Sequence, residues 1–330
     1  MSFRVGLTRD LLNREGEPSF GRPPLALLDD EPTIEWEYLP EAVSELTPDI
    51  MARYDGLYVN SPTVSAGSVA RDDCRVRIVA RHGVGYDSVD VKALAAKGII
   101  TTNTPVAIRR PVAVAALTMI FALAGRLFEK DRLTRAARWN ERTSYMGLGL
   151  TTRTLGVIGV GGIGRELLGL ARPFGWRMLA ADPYVNLGVT TGLGAAAVPL
   201  ETLLQEADFV VATVLLNDET RHLMDARRFA LMKPSAYFIN LSRGPIADEA
   251  ALTQALRSGA IAGAGLDVFE QEPVADDNPL LSMDNVIVTP HSLCWTDECF
   301  DHIAREGLKC IVDFARGKEP ASVVAVKSGV

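Results

Sequence analysis

Arg243, Glu272 and His291 are the side chains of this sequence best suited to grip an oxyanion and move a proton, and all three stand in turns beside apolar runs. Arg243 lies in INLSRGP after the run 236–240, Glu272 in LDVFEQEP, and His291 in VTPHS after the run 286–289. A guanidinium stays charged at any working pH and can hold two oxygens at once. An imidazole exchanges its proton near neutrality, and a carboxylate beside it favours the charged form and so raises its pKa. Such a set can bind a carboxylate or carbonyl and pass a proton to or from the oxygen. Taken singly, the three also fit a surface ion pair, a solvated loop carboxylate and a capping histidine. His82, His222 and His302 lack a comparable setting and read as structural.

The stretch TLGVIGVGGIGRELL, residues 154–168, indicates what this chemistry would be coupled to. Gly159-x-Gly161-x-x-Gly164 follows the apolar run 155–158 and precedes the helical run 165–171. In that context the first glycine permits a tight turn, the second lets backbone approach a pyrophosphate, and the third lets helix pack on strand. Gly162 and Ile163 complete a loop whose N–H groups, at a helix start, face the phosphates. The next apolar run, 176–181, ends in Asp182, eighteen residues after Gly164, where a carboxylate can accept the ribose hydroxyls of an adenosine. It also repels a 2′-phosphate, and Pro183-Tyr184 bring no arginine to receive one, so the expected cofactor is NAD rather than NADP. Beside a nicotinamide, Arg243, Glu272 and His291 suit hydride transfer.

These residues need elements to position them, and the pattern supplies two α/β series. Runs at 3–7, 34–39, 56–59, 76–80 and 99–102 read as five parallel strands. Asn103-Thr104-Pro105 breaks the series, and a long apolar helix opens at Pro111, where a proline in the first turn costs little. Strands near 155–160, 177–181, 208–213, 236–240, 261–267 and 286–289 follow, six in all, as a dinucleotide-binding sheet requires. From Thr296 the sequence reads as an amphipathic helix and a short tail. The expected fold is α/β: two Rossmann-like, doubly wound parallel-sheet domains with the active site in the cleft between them, closing to exclude water. Residues 1–102 plus 296–330 are expected to form a flavodoxin-like substrate domain and 103–295 the NAD-binding domain.

Bulk properties exclude other classes. The 330 residues are 48% hydrophobic and 23% charged, as in ordinary globular proteins, and the net charge of −7 without a basic block argues against nucleic acid. The apolar stretch 111–124 is too short for a bilayer and reads as a buried helix, so no membrane partner is expected. The start MSFRVGLTRD lacks a secretory pattern, which predicts a cytoplasmic location. Cys74, Cys294, Cys299 and Cys310 form no metal-binding spacing and read as reduced thiols, with no metal expected.

Several motifs in fixed order resemble the D-isomer-specific 2-hydroxyacid dehydrogenases: VGYDSVDVKALAAKGIITTNTP, TLGVIGVGGIGRELL, KPSAYFINLSRGPIADEAALTQAL, AGAGLDVFEQEP and NVIVTPH. The resemblance spans nearly the whole chain. It implies that Arg243 binds the substrate carboxylate and carbonyl, that His291 is the acid and base, and that Glu272 orients it. It also implies that Asp267 contacts the nicotinamide amide and that backbone amides of Gly83, Val84 and Gly85 meet the substrate carboxylate. Relatives are usually dimers joined through nucleotide domains, so a homodimer through 138–150 is expected.

The chain departs from the family at three places. The run after His291 is Ser-Leu-Cys-Trp where two glycines are frequent, so Trp295 either walls the substrate pocket, meets a second subunit or anchors the C-terminal helix. Asn60, in the substrate-side loop where phosphoglycerate dehydrogenases commonly carry an arginine, has no charge, although Arg109 and Arg110 could bring a cation from elsewhere. The linker helix has Ala115-Ala116 where many relatives have an acid. The expected function is NAD-dependent transfer of hydride between nicotinamide and a small 2-keto or 2-hydroxy acid. The alternatives are an NADP-dependent glyoxylate or hydroxypyruvate reductase, a 3-phosphoglycerate dehydrogenase, and a non-catalytic NADH-sensing protein of corepressor type.

Overall fold

The computed structural model describes residues 2–325, and of Leu187 the backbone alone. The chain forms two compact units: the described residues up to Ile108 with those from Trp295 onward, and Arg109–Cys294. The first break falls after 108 rather than 102 because the turn beyond residue 102 is tied into the first unit. Thr104 donates its N–H to the carbonyl of Gly83 at 3.0 Å, and Ala107 donates to the Glu306 carboxylate at 2.8 Å.

In the first unit β1 (Phe3–Leu7), β2 (Ile34–Tyr38), β3 (Gly56–Val59), β4 (Ile78–Arg81) and β5 (Ile100–Thr102) form a parallel sheet in the order β2-β1-β3-β4-β5. That is the flavodoxin-like order. The middle strand β3, Gly-Leu-Tyr-Val, is buried throughout because both faces of the sheet are covered. The C-terminal helix Asp297–Ala315 lays Ala304, Leu308 and Ile311 on one face, against Val5, Leu7, Ile78 and Ala80. Leu94, Ile50 and Met51 cover the other, against Leu57, Val59 and Val79. Thr296 caps the C-terminal helix, its hydroxyl accepting the Cys299 N–H at 3.1 Å.

The second unit contains β6 (Thr154–Ile158), β7 (Arg177–Ala181), β8 (Ala195–Ala197), β9 (Phe209–Ala212), β10 (Tyr237–Asn240), β11 (Gly263–Leu266) and β12 (Val286–Val288). All are parallel, in the order β12-β11-β10-β9-β6-β7-β8. The sheet therefore has seven strands, not the expected six. The addition is Ala195–Ala197, three alanines paired with Met178, Leu179 and Ala180; alanine carries no strand preference, so only its neighbour identifies it. Strand order reverses between β6 and β9, the switch point at whose carboxyl ends Rossmann sheets take their ligands.

The linker helix, Arg109–Gly125, starts two residues before Pro111, which still lies in the first turn where no N–H is missed. Ala113, Ala116, Leu117 and Ile120 are buried together with Leu167, Leu168 and Ala171 of the glycine-loop helix, Gly162–Ala171. Small residues let the two helices approach closely, which fixes where the linker helix begins relative to the glycine loop. Among the described residues no single helix is long and apolar enough to cross a membrane.

Candidate active site

Arg243 emerges from a turn that its neighbours hold shut. Asn240, the last residue of β10, accepts the Ser242 N–H at 3.0 Å and donates its amide to the Arg243 carbonyl at 2.9 Å. The Ser242 hydroxyl donates to Ala212 at the end of β9. Gly244 follows because a Cβ there would fall on the backbone of Phe269. The Arg243 guanidinium donates to the Ser242 carbonyl at 2.8 Å.

His291 sits in the turn after β12 with φ +53°, a left-handed conformation that a non-glycine residue keeps only when its surroundings impose it. Asp267 imposes it. Buried to 3% exposure at the end of β11, its carboxylate accepts the Thr289 hydroxyl at 2.5 Å, the Ser292 N–H at 3.0 Å and the Leu293 N–H at 3.1 Å. The residues on both sides of His291 are thereby fixed to one anchor. Glu272 reaches in from the loop after β11: Oε1 accepts the Phe269 N–H at 3.0 Å, and Oε2 lies 2.7 Å from His291 Nδ1. With Nδ1 committed, Nε2 is the ring atom left to face a reactant. Partial burial pushes the Glu272 carboxyl up, but the His291 hydrogen bond and charge, the Phe269 N–H and the Arg243 guanidinium together hold it below the usual carboxylate range. Arg243, Glu272 and His291, separate in sequence, are thus electrostatic neighbours.

In the first unit the loop of Gly83, Val84 and Gly85 follows β4. Asn103 donates its side-chain amide to the Val84 carbonyl at 2.7 Å, and Gly83 has φ +120°. His82, at its edge, is buried between Phe20, Tyr58 and Phe300, with Nδ1 2.5 Å from the Tyr58 hydroxyl. Asn60 donates its backbone N–H to the Thr8 hydroxyl and its side-chain amide to the Ser61 hydroxyl. Trp295 is 57% exposed, its indole edge-on to Phe300 at 5.0 Å between centroids, while Cys294 is buried.

The glycine loop fits a dinucleotide. Gly159 has φ +90°, and a Cβ there would stand 2.6 Å from Val214. At Gly164 a Cβ would collide with the Gly159 carbonyl oxygen, so the helix can sit this close to the strand only without one, whereas the space beside Gly161 is open. Gly161 and Gly162 are exposed at the helix start. Asp182 accepts the Val160 N–H at 2.7 Å and the Tyr184 N–H at 2.9 Å, which aims its carboxylate across the end of β7 beside the loop.

Three contributors have no sequence signal of the kind that marks a proton carrier. Thr213, after β9, donates its hydroxyl to the Gly159 carbonyl at 2.6 Å and so holds the glycine turn. Asn103, which reads as a domain break, supports the 83–85 loop. Asp267 ties down the His291 turn, a role visible only once β11 and β12 are adjacent.

Residues 117–292 match the model of the D-isomer-specific 2-hydroxyacid dehydrogenase NAD-binding domain. A glyoxylate reductase of Korarchaeum cryptofilum is 40% identical over 253 residues, 76% of this chain and 76% of that protein. A D-3-phosphoglycerate dehydrogenase of Synechocystis is 35% identical over 278 residues, 84% of this chain and 50% of that protein. Among solved structures, D-lactate dehydrogenase of Aquifex aeolicus, complexed with NAD and lactic acid, superposes with a TM-score of 0.84 at 26% identity, covering 98% of this chain and all of that one. The chain belongs to the D-isomer-specific 2-hydroxyacid dehydrogenases. It is an NAD-dependent oxidoreductase acting on CH–OH groups.

Proposed function

We propose that the chain reduces small 2-keto acids to the D-2-hydroxy acids, with Arg243 binding the substrate, His291 as acid and base, and Glu272 orienting His291. The observation that carries this reading is the 2.7 Å approach of His291 Nδ1 to Glu272 Oε2 beside the Arg243 guanidinium. Bound NADH supplies the hydride to the carbonyl carbon. Arg243 holds and polarises the 2-keto acid, and the N–H at His291 Nε2 gives its proton to the oxygen as charge develops there. In the reverse direction a neutral His291 takes that proton from the hydroxyl. Glu272 stabilises the imidazolium and fixes the ring.

Gly83, Val84 and Gly85 offer backbone N–H groups to the substrate carboxylate, and Asn60 lines the substrate side. Gly159, Gly161, Gly162, Ile163 and Gly164 would hold the pyrophosphate, Asp182 the adenosine ribose, and Asp267 the nicotinamide amide. Asp182 favours NAD over NADP. Glyoxylate and hydroxypyruvate head the candidate substrates, in keeping with the glyoxylate reductases among the relatives. The uncharged Asn60 disfavours a phosphorylated substrate. The intact Arg243, Glu272 and His291 set favours an enzyme over an NADH sensor. A cytoplasmic homodimer joined through 138–150 completes the reading.

The test is NADH consumption by the purified protein with glyoxylate, pyruvate, hydroxypyruvate, phosphohydroxypyruvate and bulkier 2-keto acids, repeated with NADPH. The reading expects turnover with the small unphosphorylated acids and a preference for NADH. NADH binding without turnover of any 2-keto acid would replace it with the sensor.

A further inference from the structure

Arg109 opens the linker helix, yet its side chain lies along the glycine loop. A Cβ built at Gly162 would stand 2.7 Å from Arg109 Nε, 3.1 Å from Cδ and 3.2 Å from Cγ. A side chain at position 162 and Arg109 in this place exclude one another, so the bare Gly162 is what admits the guanidinium to the start of the glycine-loop helix. It enters a pocket of ≈ 510 Å³ lined by Arg109, Gly161, Gly162, Arg165, Glu166 and Leu193 among others. The charge there is positive on balance: the Glu166 carboxylate is already engaged by Arg110 at 3.0 Å, and Arg165 Nε donates to the Val160 carbonyl at 2.9 Å.

We propose that Arg109 binds the cofactor's pyrophosphate, supplying from the linker helix the cation that the glycine loop has no side chain to provide. The proposal rests on the assignment of the Gly159 to Gly164 loop to that pyrophosphate. A helix N-terminus carries only about half a unit charge, whereas a pyrophosphate brings two negative charges and a guanidinium can hold two of its oxygens. The close packing of the linker helix on the glycine-loop helix fixes the base of Arg109 at this spot. Its place over Gly162 turns it toward the cofactor rather than toward a phosphate on the substrate.

The test is binding of NADH, by its fluorescence, with ADP-ribose and adenosine as competitors, at low and high salt, for the wild type, Arg109→Gln and Arg109→Lys. In Arg109→Gln the Kd values for NADH and ADP-ribose should rise about tenfold or more, the loss expected for a charge-assisted contact, with a shallower salt dependence. Arg109→Lys should recover much of that affinity, and adenosine, which has no phosphate, should bind all three alike. An Arg109→Gln protein that binds NADH within about twofold of wild type overturns the proposal and leaves the loop assignment standing. A wild type that binds neither NADH nor ADP-ribose overturns both. If Arg109→Gln also loses adenosine, it has lost its fold and Arg109→Lys decides: tight NADH binding supports the proposal, and loss of NADH with adenosine retained overturns it.

Discussion

The Glu272 carboxyl is pushed up by burial and pulled down by His291, the Phe269 N–H and Arg243, and the downward pull wins. Because its folded pKa lies below the ordinary 4.5, the stability that the ionised Glu272 carboxylate contributes is fully present above that value and is lost as pH falls through the lower folded one. Glu272→Gln keeps the shape and removes the charge. It should lower kcat about 10- to 100-fold with NADH affinity unchanged, read by steady-state rates beside fluorescence binding; a wild-type kcat would remove Glu272 from the mechanism. His82 acts in the same sense. Burial, with help from the Arg81 charge, depresses its pKa to about 3, so the folded state keeps it neutral while the unfolded chain protonates it below about 6.5. Between those values the unfolded state binds the extra proton, and stability falls as pH falls. At pH 5 this amounts to about 2 kcal/mol, and His82→Gln should lose correspondingly less stability than wild type between pH 7 and pH 5 in urea titrations. Equal losses in the two proteins would show that His82 is not the titrating group.

At the scale of elements, two glycines separate close approach from open space. Gly244→Ala forces a Cβ onto the Phe269 backbone and should cost about 3 kcal/mol or more, with the Arg243 turn displaced. Gly169→Ala, inside the glycine-loop helix with nothing within 4 Å of the new Cβ, should instead stabilise by about 0.5–1 kcal/mol. Thermal melts of the two variants check the contrast, and a Gly244→Ala protein as stable as wild type would mean the turn is looser than described. The same distinction governs what could be read from sequence. Strands such as Phe3–Leu7, Gly56–Val59 and Arg177–Ala181 are legible because apolar, β-favouring runs end at polar or glycine punctuation. Ala195–Ala197 was not, since nothing in three alanines states a strand. The pairing of Glu272 with His291 was legible through motif resemblance. The anchoring of the His291 turn by Asp267 and the reach of Arg109 to Gly162 were not, because both depend on elements far apart in sequence becoming neighbours.

For the whole molecule, the proposed homodimer makes a claim on the segment 138–150. Trp139 is 62% and Met146 76% exposed there, two large apolar side chains for a second copy to cover. Sedimentation should give twice the 35.6 kDa chain mass, and Trp139→Glu with Met146→Glu should shift the protein to monomer. A wild type that sediments as a monomer would reassign those residues. Cofactor choice is also a property of the assembled site: Asp182→Ser should narrow the NADH over NADPH preference, and an unchanged ratio of kcat/KM values would remove Asp182 from that role.

In the proposed reaction His291, held by Glu272, carries the proton while NADH would supply the hydride. The most direct test of that role is single-turnover NADH oxidation with glyoxylate at saturating cofactor, comparing wild type with His291→Gln and measuring NADH binding in both. The rate in the variant should be at least about a hundredfold lower, with NADH affinity retained. A His291→Gln protein that binds NADH and oxidises it at the wild-type rate would contradict that role.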